Sequence, residues 1–194
     1  MLARVILAAG ESSRMGSPKA LLPYRGSTFL EHLLQVTQHE KISHTRVVLG
    51  AHADLIRTQI SLPADSAVVN ADWKKGQLSS IHAALRSVAD APLDGILLCP
   101  VDTPLITAQL VSELIDRFYA SGMLIVLPAY QGKRGHPVIF ASKLFDELLA
   151  APLETGARAV VWAHSADILE VATTEEGVIL NLNDPATLRR ALSS

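Results

Sequence analysis

A chain of 194 residues is long enough for one domain with a full hydrophobic core. Apolar residues make up 49% and aromatic ones only 5%, so the core is aliphatic, which fits a sheet between helices better than a sandwich of strands. A net charge of −2 offers no electrostatic footprint for nucleic acid or an anionic membrane, and a single cysteine, Cys99, excludes an intramolecular disulfide and a thiolate-rich metal site. The stretch Met1–Leu7 lacks the long apolar segment of a signal peptide, and no apolar run approaches a membrane span, so a cytoplasmic location is the expectation.

The first predicted strand, Arg4–Ala8, is short, aliphatic and ended by a Gly-rich turn. A helix is predicted over Thr28–His39, with Phe29, Leu33, Leu34 and Val36 along one side. Strands follow at Arg46–Gly50 and Ala67–Asn70, then a helix over Leu78–Val88 and a strand at Gly95–Cys99. A further helix spans Ala108–Tyr119, with Thr107 placed to cap it, and leads to a strand at Met123–Pro128. The turn-rich Gln131–Gly135 breaks the rhythm, and the extended His136–Phe140 reads as an excursion covering the site rather than another crossover. Gly156-Ala157-Arg158 opens a later helix, and Asp167–Val171 is the last predicted strand. Strands alternating with helices imply an α/β fold with a mostly parallel central sheet flanked by helices. With no repeat, low-complexity tract or linker, residues 1–194 are expected to form one domain.

Three segments concentrate chemistry at predicted strand ends. Leu7-Ala8-Ala9-Gly10-Glu11-Ser12-Ser13-Arg14-Met15-Gly16-Ser17-Pro18-Lys19 puts small residues where open α/β sheets bind ligands. Its backbone N–H groups can cradle phosphate or pair with a base, and Arg14 and Lys19 supply fixed positive charge. An ordinary loop with surface charges is the bland alternative. After the third strand, Gly76 frees the backbone and Ser79 and Ser80 offer hydroxyls at a helix start; Ser79 also fits a simple cap. Asp102, between Pro100 and Pro104 at the end of the fourth strand, suits a hard Mg²⁺ ion, which takes one or two carboxylates plus phosphate oxygens.

The string Leu-Ala-Ala-Gly-x-Ser-x-Arg-Met-Gly-x-x-Lys over residues 7–19 closely resembles the signature of the molybdenum cofactor nucleotidyltransferases. The resemblance extends to Asn70-Ala71-Asp72-Trp73-Lys74-Lys75-Gly76-Gln77-Leu78-Ser79-Ser80, similar to a stretch that lies against base and ribose, and to the Asp-x-Pro metal motif at Asp102 and Pro104. Gly132-Lys133-Arg134-Gly135-His136-Pro137 resembles the Gly-x-x-Gly-His-Pro segment of the cytidylyl branch, which borders the acceptor pocket. Asn181-Leu182-Asn183-Asp184-Pro185 resembles the C-terminal metal motif, but carries amides where the cytidylyl branch has Asp-x-Asp and the guanylyl branch Asn-x-Asn, which argues mildly for the guanylyl branch, and it also reads as a helix start capped before Pro185.

The resemblance implies a Rossmann-like nucleotidyltransferase fold and Mg²⁺-dependent transfer of a nucleoside monophosphate to a phosphorylated pterin, with release of pyrophosphate. It places nucleotide on Leu7, Ala8, Ala9, Gly10, Gly16, Asn70, Gly76, Ser79 and Ser80. Arg14, Lys19 and Asp102 become the catalytic residues, Asp102 and Asn183 the metal ligands, and Lys133, His136 and Arg158 the acceptor contacts. Ala9, Asn70 and the Gly-His-Pro segment favour CTP as donor; a carboxylate would be the natural partner for guanine. GTP remains the alternative, as do a longer-chain sugar-phosphate nucleotidyltransferase and a non-catalytic nucleotide- or cofactor-binding chaperone. A molybdoenzyme or its insertion chaperone is the implied protein partner, with neither nucleic acid nor membrane.

Overall fold

Every residue from Leu2 to Ala8 is buried, as a strand covered by helices on both faces requires. This first strand, β1 (Leu2–Ala8), opens a computed structural model that describes residues 1–13 and 15–192. A two-residue antiparallel pair, β2 (Pro23–Tyr24) and β3 (Ser27–Thr28), runs into α1 (Phe29–Val36). Then β4 (Ile42–Leu49) is followed by α2 (Ala53–Gln59), β5 (Ala67–Val69) by α3 (Gln77–Arg86), and β6 (Gly95–Pro100) by α4 (Ala108–Ser121). From β7 (Ile125–Tyr130) the chain turns through β8 (Lys133–Arg134) into β9 (Val138–Ala141), α5 (Phe145–Ala150) and α6 (Arg158–Ala163), and then through β10 (Ile168–Ala172) to α7 (Pro185–Leu192).

The other eight strands form one sheet in the order β10-β7-β9-β6-β1-β4-β5, with β8 paired to β7. The pairs β1–β4, β1–β6, β4–β5 and β7–β10 are parallel, so the fold is mixed α/β with a mostly parallel sheet between helices. Alternation along β1 divides the core. Ile6 and Ala8 face Leu33 of α1 and Leu114 of α4, whereas Val5 and Leu7 face Ile81 and Leu85 of α3. Local signals set the helix starts. Thr28 and Glu31 form a reciprocal capping box on α1, and the Thr107 hydroxyl accepts from the Leu110 N–H on α4.

All six predicted strands are present, with ends shifted by at most four residues. The segment expected to cover the site is the exception. Val138–Ala141 is β9, antiparallel to both β6 and β7 in the middle of the sheet. All four of its residues are buried, and four consecutive apolar side chains are stable between neighbours rather than over a solvent-filled cleft. The helices α2 and α5 carry too short a periodic stretch to stand out in the sequence. No helix among the described residues is long and apolar enough to cross a membrane.

Candidate nucleotide-binding site

Since β1 and β6 are neighbours with Leu7 opposite Pro100, the first turn and the Asp102 loop leave the sheet side by side. A cleft of about 350 Å³ lies over these strand ends. Leu7, Ala8, Ala9, Gly10, Glu11, Ser12 and Lys19 line it from the first turn, and Trp73, Lys74, Gly76, Gln77, Ser80 and Asp102 from the later segments. Gly50, at the end of β4, lets the first turn and the Trp73 segment close. A Cβ there would stand 2.4 Å from the Ala9 carbonyl oxygen and 2.8 Å from the Trp73 Cβ. The Ala51 N–H donates to the same Ala9 oxygen over 3.1 Å and fixes the turn. Gly50 carries no ligand group, so nothing in the sequence marked it.

Lys19 reaches back across the cleft mouth. Its ammonium donates to Asp102 Oδ2 over 3.0 Å and also to Asn183 Oδ1, joining residues from the two ends of the chain. The side chains of Lys19 and Asp102 are 16% and 21% exposed, so water screens the pair only partly. Main-chain bonds hold the three supporting segments. The Lys19 N–H donates to Ser12 Oγ over 3.1 Å, and the Leu182 N–H donates to the Asp102 carbonyl over 2.8 Å. Asp184 meanwhile accepts from the Ala186 and Thr187 N–H groups at the start of α7, so the helix-start reading and the Asn183 contact coexist.

The loop after β5 is braced from within. Asn70 is buried, and its amide donates to Ser79 Oγ over 2.9 Å and Ser80 Oγ over 3.0 Å. Its Oδ1 accepts from the Asp72 N–H over 2.9 Å. The Ser79 hydroxyl in turn donates to the Gly76 carbonyl over 2.7 Å and the Asp72 carbonyl over 3.0 Å. Asn70 and Ser79 therefore shape the wall that Trp73, Gly76 and Ser80 present, rather than facing the cleft themselves. Gly76 precedes α3 with φ +96°, which glycine adopts without strain, and leaves that helix without a side-chain cap. Ser79 is thus not its N-cap.

A second pocket of about 330 Å³ adjoins the first, with Gln77 lining both. His136, Glu154, Thr155 and Arg158 supply polar groups over an apolar floor of Leu78, Leu98, Val138 and Phe140. The His136 N–H donates to the Val178 carbonyl over 2.8 Å, while the buried ring atom Nδ1 has no partner. Burial pushes the His136 imidazole below its ordinary range; Asp102 acts the other way, and Arg158 adds to the lowering. Lys133 is exposed on β8 and does not line this pocket, and Gly16 is exposed beyond the first cleft. Arg14 lies outside the described residues. Among the described residues no group of three or more His, Cys, Asp or Glu is placed to hold a metal. The oxygens of Asp102 and Asn183 already share one cation, the Lys19 ammonium, and one carboxylate with one carbonyl plus substrate phosphates is a donor set a hard divalent ion accepts.

The pattern of MobA-like NTP transferase domains matches residues 4–168, and the chain belongs to that family of nucleotidyltransferases. Among its relatives, nicotine blue oxidoreductase of Paenarthrobacter nicotinovorans is 32% identical over 146 residues, covering 72% of this chain and 71% of that one. A probable molybdenum cofactor guanylyltransferase of Mycobacterium avium is 30% identical over 197 residues, covering 97% and 93%. Matches to bifunctional GlmU proteins span only 24% and 27% of those longer chains. The crystal structure of Rv0371c from Mycobacterium tuberculosis H37Rv superposes with a TM-score of 0.82 at 27% identity, covering 100% and 99%; that protein has also been solved in complex with manganese.

Proposed function

We propose that this nucleotidyltransferase moves CMP from CTP onto the phosphate of a molybdopterin-type acceptor and releases pyrophosphate. The observation that carries the reading is the meeting of Lys19, Asp102 and Asn183 at the mouth of a cleft walled by the Ala8–Ser12 turn. The acceptor phosphate, already ionised, attacks the α-phosphorus in line, so positioning and charge neutralisation do most of the work and no general base is required. Backbone N–H groups of the first turn and the Lys19 charge face the β- and γ-phosphates. Asp102 and Asn183 would hold Mg²⁺, whose chemistry is to neutralise charge developing around the α-phosphate. His136 and Arg158 face the acceptor from the second pocket, and Gln77 stands between the two ligands.

Support for CTP comes from Ala9 in the wall of the first cleft and from the Gly-His-Pro segment beside the second; with its amide spent on Ser79 and Ser80, Asn70 no longer argues for either base. A second reading has its own observation. Glu11 lines the same cleft, and a carboxylate matches the adjacent N1–H and N2–H₂ donors of guanine, in keeping with relatives named guanylyltransferases. Competitive turnover of CTP and GTP with a molybdopterin acceptor tests the choice. CTP should show at least about tenfold higher kcat/KM, since an unpaired buried polar group costs about 1–3 kcal/mol. Equal or greater use of GTP by the native protein, lost in Glu11→Gln, would establish the second reading instead.

A further inference from the structure

We propose that Lys19 is the resident cation of this site, holding the place between Asp102 and Asn183 until nucleotide phosphate draws its ammonium away and a divalent ion can enter. The inference rests on the metal-dependent reading above and adds an order of events to it: metal binds tightly only together with nucleotide.

The main chain that carries the two oxygen ligands is held in place without Lys19. The Asp102 carbonyl accepts the Leu182 N–H over 2.8 Å, and the Leu182 side chain is fully buried, so the residues flanking Asn183 are fixed against the Asp102 loop by main chain and core. Lys19 differs in kind. Its backbone is tied to Ser12 Oγ, but its charge sits at the end of a flexible four-carbon stem and can be redirected without moving the fold. Lys19 is the cation paired with the Asp102 carboxylate among the described residues, and it also takes up Asn183 Oδ1.

Charge then sets the order. One carboxylate and one neutral amide balance one ammonium, so a divalent ion arriving with Lys19 in place meets a site with no net negative charge and a like charge inside it. A triphosphate in the adjoining cleft changes that balance. It offers the ammonium several anionic oxygens and leaves Asp102 and Asn183 free to ligate. Metal and nucleotide thus bind with positive coupling, and the coupling is reciprocal. A salt bridge that merely steadied the loops would give no such dependence.

Mn²⁺ binding, followed by electron paramagnetic resonance of the free ion, separates the possibilities without turnover. In nucleotide-free protein, Lys19→Met should bind Mn²⁺ about tenfold more tightly than the native chain, and Lys19→Arg, which keeps the charge, should stay as weak as native. With a non-hydrolysable CTP or GTP analogue the order should invert, native protein binding Mn²⁺ more tightly than Lys19→Met. The gain should vanish in Lys19→Met/Asp102→Asn. If nucleotide-free Lys19→Met binds no more tightly than native while Asp102→Asn still weakens Mn²⁺ in the nucleotide complex, this proposal is overturned and the metal site stands. A gain that persists in the double variant means Asp102 is not a ligand, and both the proposal and the functional reading fall.

Discussion

Around the first cleft the polar side chains are bonded to one another: Lys19 to Asp102 and Asn183, Asn70 to Ser79 and Ser80. Around the second, His136 keeps an unpartnered ring nitrogen beside Arg158, over Leu78, Leu98 and Phe140. The two halves of the site are therefore prepared differently. A closed ion pair can receive a polyanion by exchanging partners, with little net cost of desolvating new charge. The second pocket instead keeps an unpartnered imidazole nitrogen beside Glu154, Thr155 and Arg158, which suits a ligand that brings a polar group to pair with it. If the contrast is right, disturbing the first cleft should remove chemistry, whereas disturbing its braces or the second pocket should alter binding and pH response.

The largest effect is expected from Asp102→Ala. It removes the one carboxylate in the Lys19 cluster and strands the ammonium, so kcat should fall by about 10³-fold while circular dichroism shows the fold intact. Pyrophosphate release within about tenfold of native, with acceptor supplied, would move the metal site elsewhere.

A smaller and more selective effect is expected from Asn70→Asp. A carboxylate cannot donate to Ser79 and Ser80, and the Ser79 hydroxyl is already committed to the Gly76 and Asp72 carbonyls. The wall carrying Trp73 and Ser80 should loosen, at about 1–3 kcal/mol for the lost buried pairings. Calorimetric affinities for CTP and GTP should both weaken by about tenfold or more, with their ratio unchanged. A changed ratio would show Asn70 reading the base and reject its role as a brace.

These residues also mark what could be read from the sequence. The strands of the parallel half, the Gly10 turn and the strand-end position of Asp102 were legible because each is written locally, in an apolar run ended by small residues or proline. The place of β9 was not: its insertion between β6 and β7 is a long-range pairing, and Val138–Ala141 alone is only a short apolar run. The unbroken apolar character of all four positions, with no polar alternation, was the available hint that the segment belongs inside a sheet. Asn70 was placed on the right loop but facing the wrong way, because a short amide can serve a ligand or its own backbone equally well and only the Ser79 and Ser80 hydroxyls decide. Gly50 left no signal, since its contribution is the space that Ala9 and Trp73 occupy.

The smallest effect is a pH dependence whose sign differs between two histidines. Burial holds the His136 pKa in the folded state below its unfolded value near 6.5, with Asp102 opposing and Arg158 reinforcing the shift. The unfolded chain therefore binds more protons in that window, so the stability associated with His136 is complete above about pH 6.5 and is lost as pH falls toward the folded pKa. At His164 the hydrogen bond that the ring donates to Glu147, helped by Asp167, raises the pKa. Its contribution is present below about pH 6.5 and is lost as pH rises through the folded value. Thermal midpoints of the native chain, His136→Gln and His164→Gln between about pH 5 and 8 check both signs. The native chain should lose ground to His136→Gln on acidification and gain ground on His164→Gln, each replacement cancelling every other titration. A native-minus-His136→Gln difference that stays flat across the range would mean the imidazole is not held neutral by burial, and the contrast between the paired first cleft and the unpartnered imidazole of the second pocket would lose its clearest physical sign.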